Sequence, residues 1–121
     1  MKIKILELDF SICKIRNLAG VNYRDEIFFI SKTEDGVSLV CPTKSVPANK
    51  SECSNGWKAL KINEVLALDN VAVVASITSI LANENIPIFV AADYTTYFIL
   101  VKEQHLIRAI KALCDAGYQV R

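Results

Sequence analysis

The chain has 121 residues, of which 52% are apolar, 22% charged and 8% aromatic. That length points to one compact body with a core large enough to fold without metal or disulfide. Fourteen Lys and Arg against thirteen Asp and Glu leave a net charge of +1, which excludes a strongly basic nucleic-acid binder and an acidic solvating tail. The apolar fraction, with only four glycines and three prolines, excludes a disordered chain.

The opening residues carry Lys2, Lys4 and Glu7 inside an apolar run. These charges break the apolar stretch of ~7–15 residues that a signal peptide needs. Residues 12–15 predict a short strand, and residues 17–25, with Gly20, a loop or a poor helix. The β-branched and aromatic runs 27–31 and 37–41 flank Thr33-Glu34-Asp35-Gly36, which predicts a hairpin with the Asp-Gly pair supplying a positive φ. Pro42 ends the second of these strands. Residues 43–56 hold Pro47, Asn49, Ser51, Ser54, Asn55 and Gly56 and read as the most loop-like stretch. Residues 57–62 read as a strand with imperfect alternation.

Asp69 or Asn70 is a suitable N-cap for a helix over residues 71–84. Val73, Val74, Ile77, Ile80 and Leu81 share one face of it. The opposite face, Ala72, Ala75, Ser76, Ser79 and Ala82, is small and uncharged, where an exposed face normally carries Lys or Glu. It predicts close packing against another element or another subunit. Residues 71–82 are also the longest weakly polar stretch, well short of the ~20 that cross a membrane. Residues 86–91 and 97–101 predict strands joined through Asp93-Tyr94-Thr95-Thr96, apolar enough to be covered on both faces. Residues 103–116 give the cleanest helix, with Gly117 as a left-handed C-cap, and residues 118–120 a short last strand.

Residues 61–121 therefore read β-α-β-β-α-β, the ferredoxin-like order of an α+β fold. The first half reads as a degraded copy. The division predicted is residues 1–61 and residues 62–121.

Three stretches carry a family likeness: Ser38-Leu39-Val40-Cys41-Pro42; Gly56-Trp57-Lys58-Ala59-Leu60-Lys61-Ile62; and Ile86-Pro87-Ile88-Phe89 with Ile99-Leu100-Val101-Lys102-Glu103. In this order the sequence resembles the small tandem ACT-domain proteins, and it is similar to the ACT units of CASTOR-type arginine sensors. The resemblance runs from about residue 10 to the C-terminus. It implies two ACT units in one short chain, a regulatory module that binds an amino acid, and a homodimer. It departs from the family at Ala92-Asp93, where the family has Ser-Thr, and at Tyr97, where the family has Asp.

The chemistry of an amino-acid site selects residues directly. The ligand carboxylate needs backbone N–H donors, and Leu68, Asp69, Asn70, Val71 and Ala72 surround the start of a predicted helix. The ammonium needs an acceptor, either strand carbonyls near Ile88 and Phe89 or a carboxylate, Asp69 or Asp93. Thr95 and Thr96 complete the candidate set. Each also has a plain structural reading: helix cap for Asp69 and Asn70, turn residue for Asp93, Thr95 and Thr96. His105 reads as a solvated helix residue, Trp57 as a core filler and the Lys58/Lys61 pair as a solvated face. The four cysteines form no CxxC pair, so no metal is expected, and no cofactor. Three of the four lie in apolar segments, and with no secretion signal free thiols and a cytoplasmic location are expected. No catalytic constellation stands out, which argues against an enzyme. The expected partners are a small-molecule ligand and a second copy of the chain, with neither nucleic acid nor membrane. A dimeric module that pairs with a partner enzyme, without a ligand, is the alternative.

Overall fold

Contacts in the computed structural model, which describes residues 2–62 and 71–121, divide the chain into Leu8–Trp57 and a second unit of Met1–Glu7 with Lys58–Arg121. The division expected from the sequence lies between residues 61 and 62. The first seven residues join the second unit because their strand pairs there.

In the unit Leu8–Trp57 the strands are β2 (Phe10–Ile15), β3 (Phe29–Thr33), β4 (Gly36–Pro42) and the first part of β5 (Lys50–Ile62), after β1 (Lys2–Ile5) in the other unit. They lie in the order β3-β4-β2-β5 and pair antiparallel. The predicted hairpin is present, with Thr33 paired to Gly36, and φ of Gly36 is +126°. Residues between β2 and β3 form turns and no helix. Asn17 and Asn22 each accept an amide two residues on, a local bond that competes with helix. Val21, Phe28 and Val46 cover a cluster of Cys13, Ile15, Val37, Leu39 and Cys41.

Two expectations are corrected in this unit. The stretch 43–56 is not all loop: after a 3-10 turn at Thr43–Ser45, β5 begins at Lys50. Its first residues pair with β2, and Lys50, Ser51 and Glu52 are exposed there. The imperfect alternation has a cause. Phe10 pairs with Trp57 but Ile12 with Ser54, so the register shifts at Asn55-Gly56, where Gly56 has φ +81°. A bulge with glycine in the left-handed region resets which residues face inward. Free thiols were expected throughout, yet Cys13 and Cys53 form a disulfide. The register sets them opposite each other on adjacent strands, with Cα atoms 4.1 Å apart. Cys41 and Cys114 are free.

In the second unit the element order is β5, α1 (Val71–Asn83), β6 (Ile88–Ala92), β7 (Tyr97–Lys102), α2 (Leu106–Asp115) and β8 (Gln119–Val120), the βαββαβ ferredoxin-like order. The strands run β6-β7-β5-β1-β8. β1 is thus inserted between β5 and β8, antiparallel to one and parallel to the other. Ile77 and Leu81 from α1 and Ala109 and Leu113 from α2 meet Ile3, Leu60, Ile62, Ile99 and Val101 from the sheet in one core. Phe98 and Leu100 alternate with Ile99 and Val101 along β7 and are buried too, so that strand is covered on both faces as expected. A 3-10 turn at Glu103–His105 precedes α2, which starts three residues later than the sequence predicts.

Both helices close in the same way. The Ile86 amide donates to Leu81 O at 3.1 Å and the Asn85 amide to Ala82 O at 2.9 Å. The Tyr118 amide donates to Leu113 O at 3.1 Å and the Gly117 amide to Cys114 O at 3.0 Å. Each is a Schellman motif, with Asn85 at φ 57° and Gly117 at φ 99° in the left-handed position.

Candidate functional site

The candidate residues fall in the second unit, at the opening of α1 and along the β6–β7 hairpin. Leu68, Asp69 and Asn70 lie outside the described residues. Val71 opens α1 and Ala72 is exposed in its first turn, which holds no acidic residue. The first amides of a helix have no partner within it, so this end offers N–H donors.

After the Schellman closure at Asn85 the chain turns back along β6. A 13-residue helix spans ~19 Å and a five-residue strand ~16 Å, so the two are nearly matched in length. This topology carries the far end of β6, with its turn, toward the end of the unit where α1 begins. Ile88 and Phe89 are half-buried on β6. β6 pairs only with β7, so its outer edge keeps backbone carbonyls unpaired by the sheet.

The turn is built around one carboxylate. Ala92 and Tyr97 are the last pair of the hairpin. Asp93 Oδ1 accepts the Thr95 amide at 2.9 Å and the Thr96 amide at 2.8 Å. The Thr95 hydroxyl lies 3.4 Å from the same oxygen and 3.3 Å from Thr96 Oγ1. The Asp93 amide donates to Thr96 O at 3.0 Å. Thr96 is buried and Tyr94, at the apex, is 70% exposed. Asp93, Thr95 and Thr96 are therefore brought together, in the turn-forming role that each could take. Asp93 Oδ2 has no partner among the described residues.

The remaining singled-out residues are placed plainly. His105 is half-buried ahead of α2, its ring nitrogens near Gln104 and Arg108. Trp57 donates its indole N–H to Ser54 Oγ at 3.0 Å. Ser11 is fully buried and its hydroxyl meets Asn55 Oδ1 at 2.6 Å and Thr43 Oγ1 at 2.9 Å. The Cys41 thiol is pushed up to about 11 by burial, with Asp25 adding to the shift. Among the described residues no group of three or more His, Cys, Asp and Glu side chains could hold a metal ion. No helix among them is long and apolar enough to cross a membrane.

Lys2, Lys4, Lys61 and Arg121 line a common cavity that no sequence motif marks. The only signal would have been the strand register, which the sequence does not display.

The sequence model described as ACT domain matches residues 52–115. No curated protein matches the chain. Among solved structures, protein Atu0741 from Agobacterium tumefaciens is 25% identical, with a TM-score of 0.85 over 99% of this chain and 91% of that one. A Vibrio cholerae protein of unknown function is 18% identical, with a TM-score of 0.75 over 92% and 85%. The ligand-free regulatory subunit of aspartate kinase from Thermus thermophilus is 10% identical, with a TM-score of 0.67 over 95% and 96%. The last two likenesses are of fold.

Proposed function

The chain belongs to the ACT domain family, and from that premise we propose that it is an amino-acid-sensing regulatory protein with no catalytic chemistry of its own. The observation that carries the reading is the Asp93 turn, in which two backbone amides orient an exposed carboxylate through one of its oxygens. In this reading Asp93 takes the ammonium, and the strand carbonyls near Ile88 and Phe89, toward the other end of β6, are the alternative acceptors. The segment Leu68, Asp69, Asn70, Val71 and Ala72 supplies N–H donors to the carboxylate, and the Thr95 and Thr96 hydroxyls orient the turn. The likeness to an aspartate kinase regulatory subunit supports a regulatory role at the level of fold. The finer resemblance to arginine sensors makes arginine one ligand to test among the twenty amino acids.

Thermal shift with each amino acid tests this reading. A saturable rise with one of them, lost in Asp93→Ala, is expected. No rise at ~10 mM for any of them overturns it, since ligand at ~100 times its dissociation constant stabilises by about 2.7 kcal/mol.

A second reading is favoured by the small face of α1. Ala72, Ala75, Ser76, Ser79 and Ala82 are all exposed within the chain. Tyr118 donates its hydroxyl to Ser76 Oγ at 2.7 Å, and the rest of the stripe fits a flat contact with a second copy or a partner enzyme.

A further inference from the structure

Lys4 stands in a row of three cations on the sheet face of the second unit that looks away from the helices. Ile3, its neighbour along β1, is buried in the helix-covered core, so alternation turns Lys4 to the opposite face. On one side Lys4 is directly opposite Lys61 of β5. On the other side Ile3 pairs with Val120, and the Arg121 amide donates to Ile3 O at 2.9 Å while the Ile5 amide donates to Arg121 O at 2.6 Å. These two bonds set Arg121 beside Lys4. Lys2 lies two residues away on the same face of β1.

Strands lie ~4.8 Å apart, so three cationic side chains leave the sheet within ~10 Å of one another. Like charges directly opposite across strands are destabilising. The four cations border a cavity of about 470 Å³ whose remaining lining is Ile3 and Ile5, with no carboxylate side chain among it. In a chain of net charge +1 this concentration is local. A zwitterionic amino acid would bring its ammonium into the same row, so the ligand chemistry differs from that of the proposed amino-acid site.

We propose that this face binds a small phosphorylated molecule, held through its phosphate oxygens by Lys4, Lys61 and Arg121. A guanidinium presents a planar fork that matches two phosphate oxygens, and ammonium groups add point charges on either side. A nucleotide and a sugar phosphate share this chemistry. The residues involved are separate from those of the Asp93 turn, so each proposal can fail alone.

The test measures the melting temperature of the full chain against pyrophosphate, with sodium chloride at matched ionic strength as control and citrate as a multivalent carboxylate. A saturable rise of about 5 °C at ten times the dissociation constant is expected with pyrophosphate. Lys4→Gln should raise the ligand-free melting temperature at low salt, by relieving repulsion, and remove the pyrophosphate response. Lys61→Gln should weaken the response, and Lys44→Gln, in the other unit, should leave it unchanged. No rise, an equal rise with chloride, or a response that survives Lys4→Gln overturns the proposal. An equal rise with citrate overturns the assignment to phosphate. Comparing adenosine diphosphate with glucose 6-phosphate then separates the two sources.

Discussion

Asp93 and Thr96 are bonded to each other twice: Oδ1 of Asp93 accepts the Thr96 amide at 2.8 Å, and the Asp93 amide donates to Thr96 O at 3.0 Å. One side chain thus adds to the main-chain bond that closes the hairpin. Asp93→Ala removes the acceptor of two backbone amides and is expected to cost about 1–2 kcal/mol. Asp93→Asn keeps an oxygen at the same place and should cost less. Chemical denaturation of the three proteins checks this, and an unchanged midpoint for Asp93→Ala would falsify the turn's dependence on the carboxylate.

Gly117 closes α2 with φ 99°, and a Cβ there would meet nothing within 4 Å. The cost of Gly117→Ala is therefore backbone strain alone, about 1 kcal/mol. Asn85 holds the equivalent place after α1 at φ 57°. Asn85→Gly should be neutral to stabilising, while Asn85→Ala should destabilise. A loss of stability for Asn85→Gly equal to that for Asn85→Ala would show that the Asn side chain, not the φ, matters.

Thiol accessibility should separate the four cysteines. Titration of the unfolded chain without reductant is expected to find two thiols, Cys41 and Cys114. In the native chain at pH 8 only the exposed Cys114 should react with iodoacetamide, because Cys41 is 2% exposed. Four reactive thiols in the unfolded chain would exclude the Cys13–Cys53 bond.

Cys41 also sets an alkaline limit. Its folded pKa, raised to about 11 by burial and Asp25, lies above the ordinary value of 9.0. The folded state therefore holds the proton more tightly than the unfolded state. That contribution is complete below pH 9 and is lost as pH rises toward 11. The melting temperature should fall across this window, and Cys41→Val should flatten the fall. An identical slope in the variant would assign the alkaline loss to other groups.

The small face of α1 gives the assembly test. Ala75→Arg and Ser79→Arg place long charged chains on exposed positions, so folding should survive. If this face joins two copies, analytical ultracentrifugation should show a dimer for the parent and a monomer for the variants. Variants that sediment like a dimeric parent rule the face out.

The second unit was largely legible in the sequence because its signals are local. Helical periodicity places Ile77 and Leu81 on the buried side, and Gly117 marks the end of α2. What escaped detection depends on register. Lys2–Ile5 is too short and too charged to announce a strand, and only its pairing with Lys61 and Gln119 makes it one. The start of β5 is hidden because Lys50, Ser51 and Glu52 look like loop residues until their pairing with β2 is known. The same holds for Cys13 and Cys53, forty residues apart in sequence and joined by strand alignment. At the candidate site, the Asp93-Tyr94-Thr95-Thr96 turn could be read because aspartate and threonine bond their own backbone. The row through Lys61, Lys4 and Arg121 could not.

The insertion of β1 between β5 and β8 has a consequence for synthesis. Lys2 leaves the ribosome more than a hundred residues before its partner Gln119. Closing so long a loop carries an entropy cost that grows only slowly with length, but the contact is strongly non-local. Until β8 emerges, β1 has one neighbour at most. The second unit should therefore complete its sheet only after translation of this segment ends, and residues 58–121 expressed alone should lack the strand that joins the two sides of that sheet.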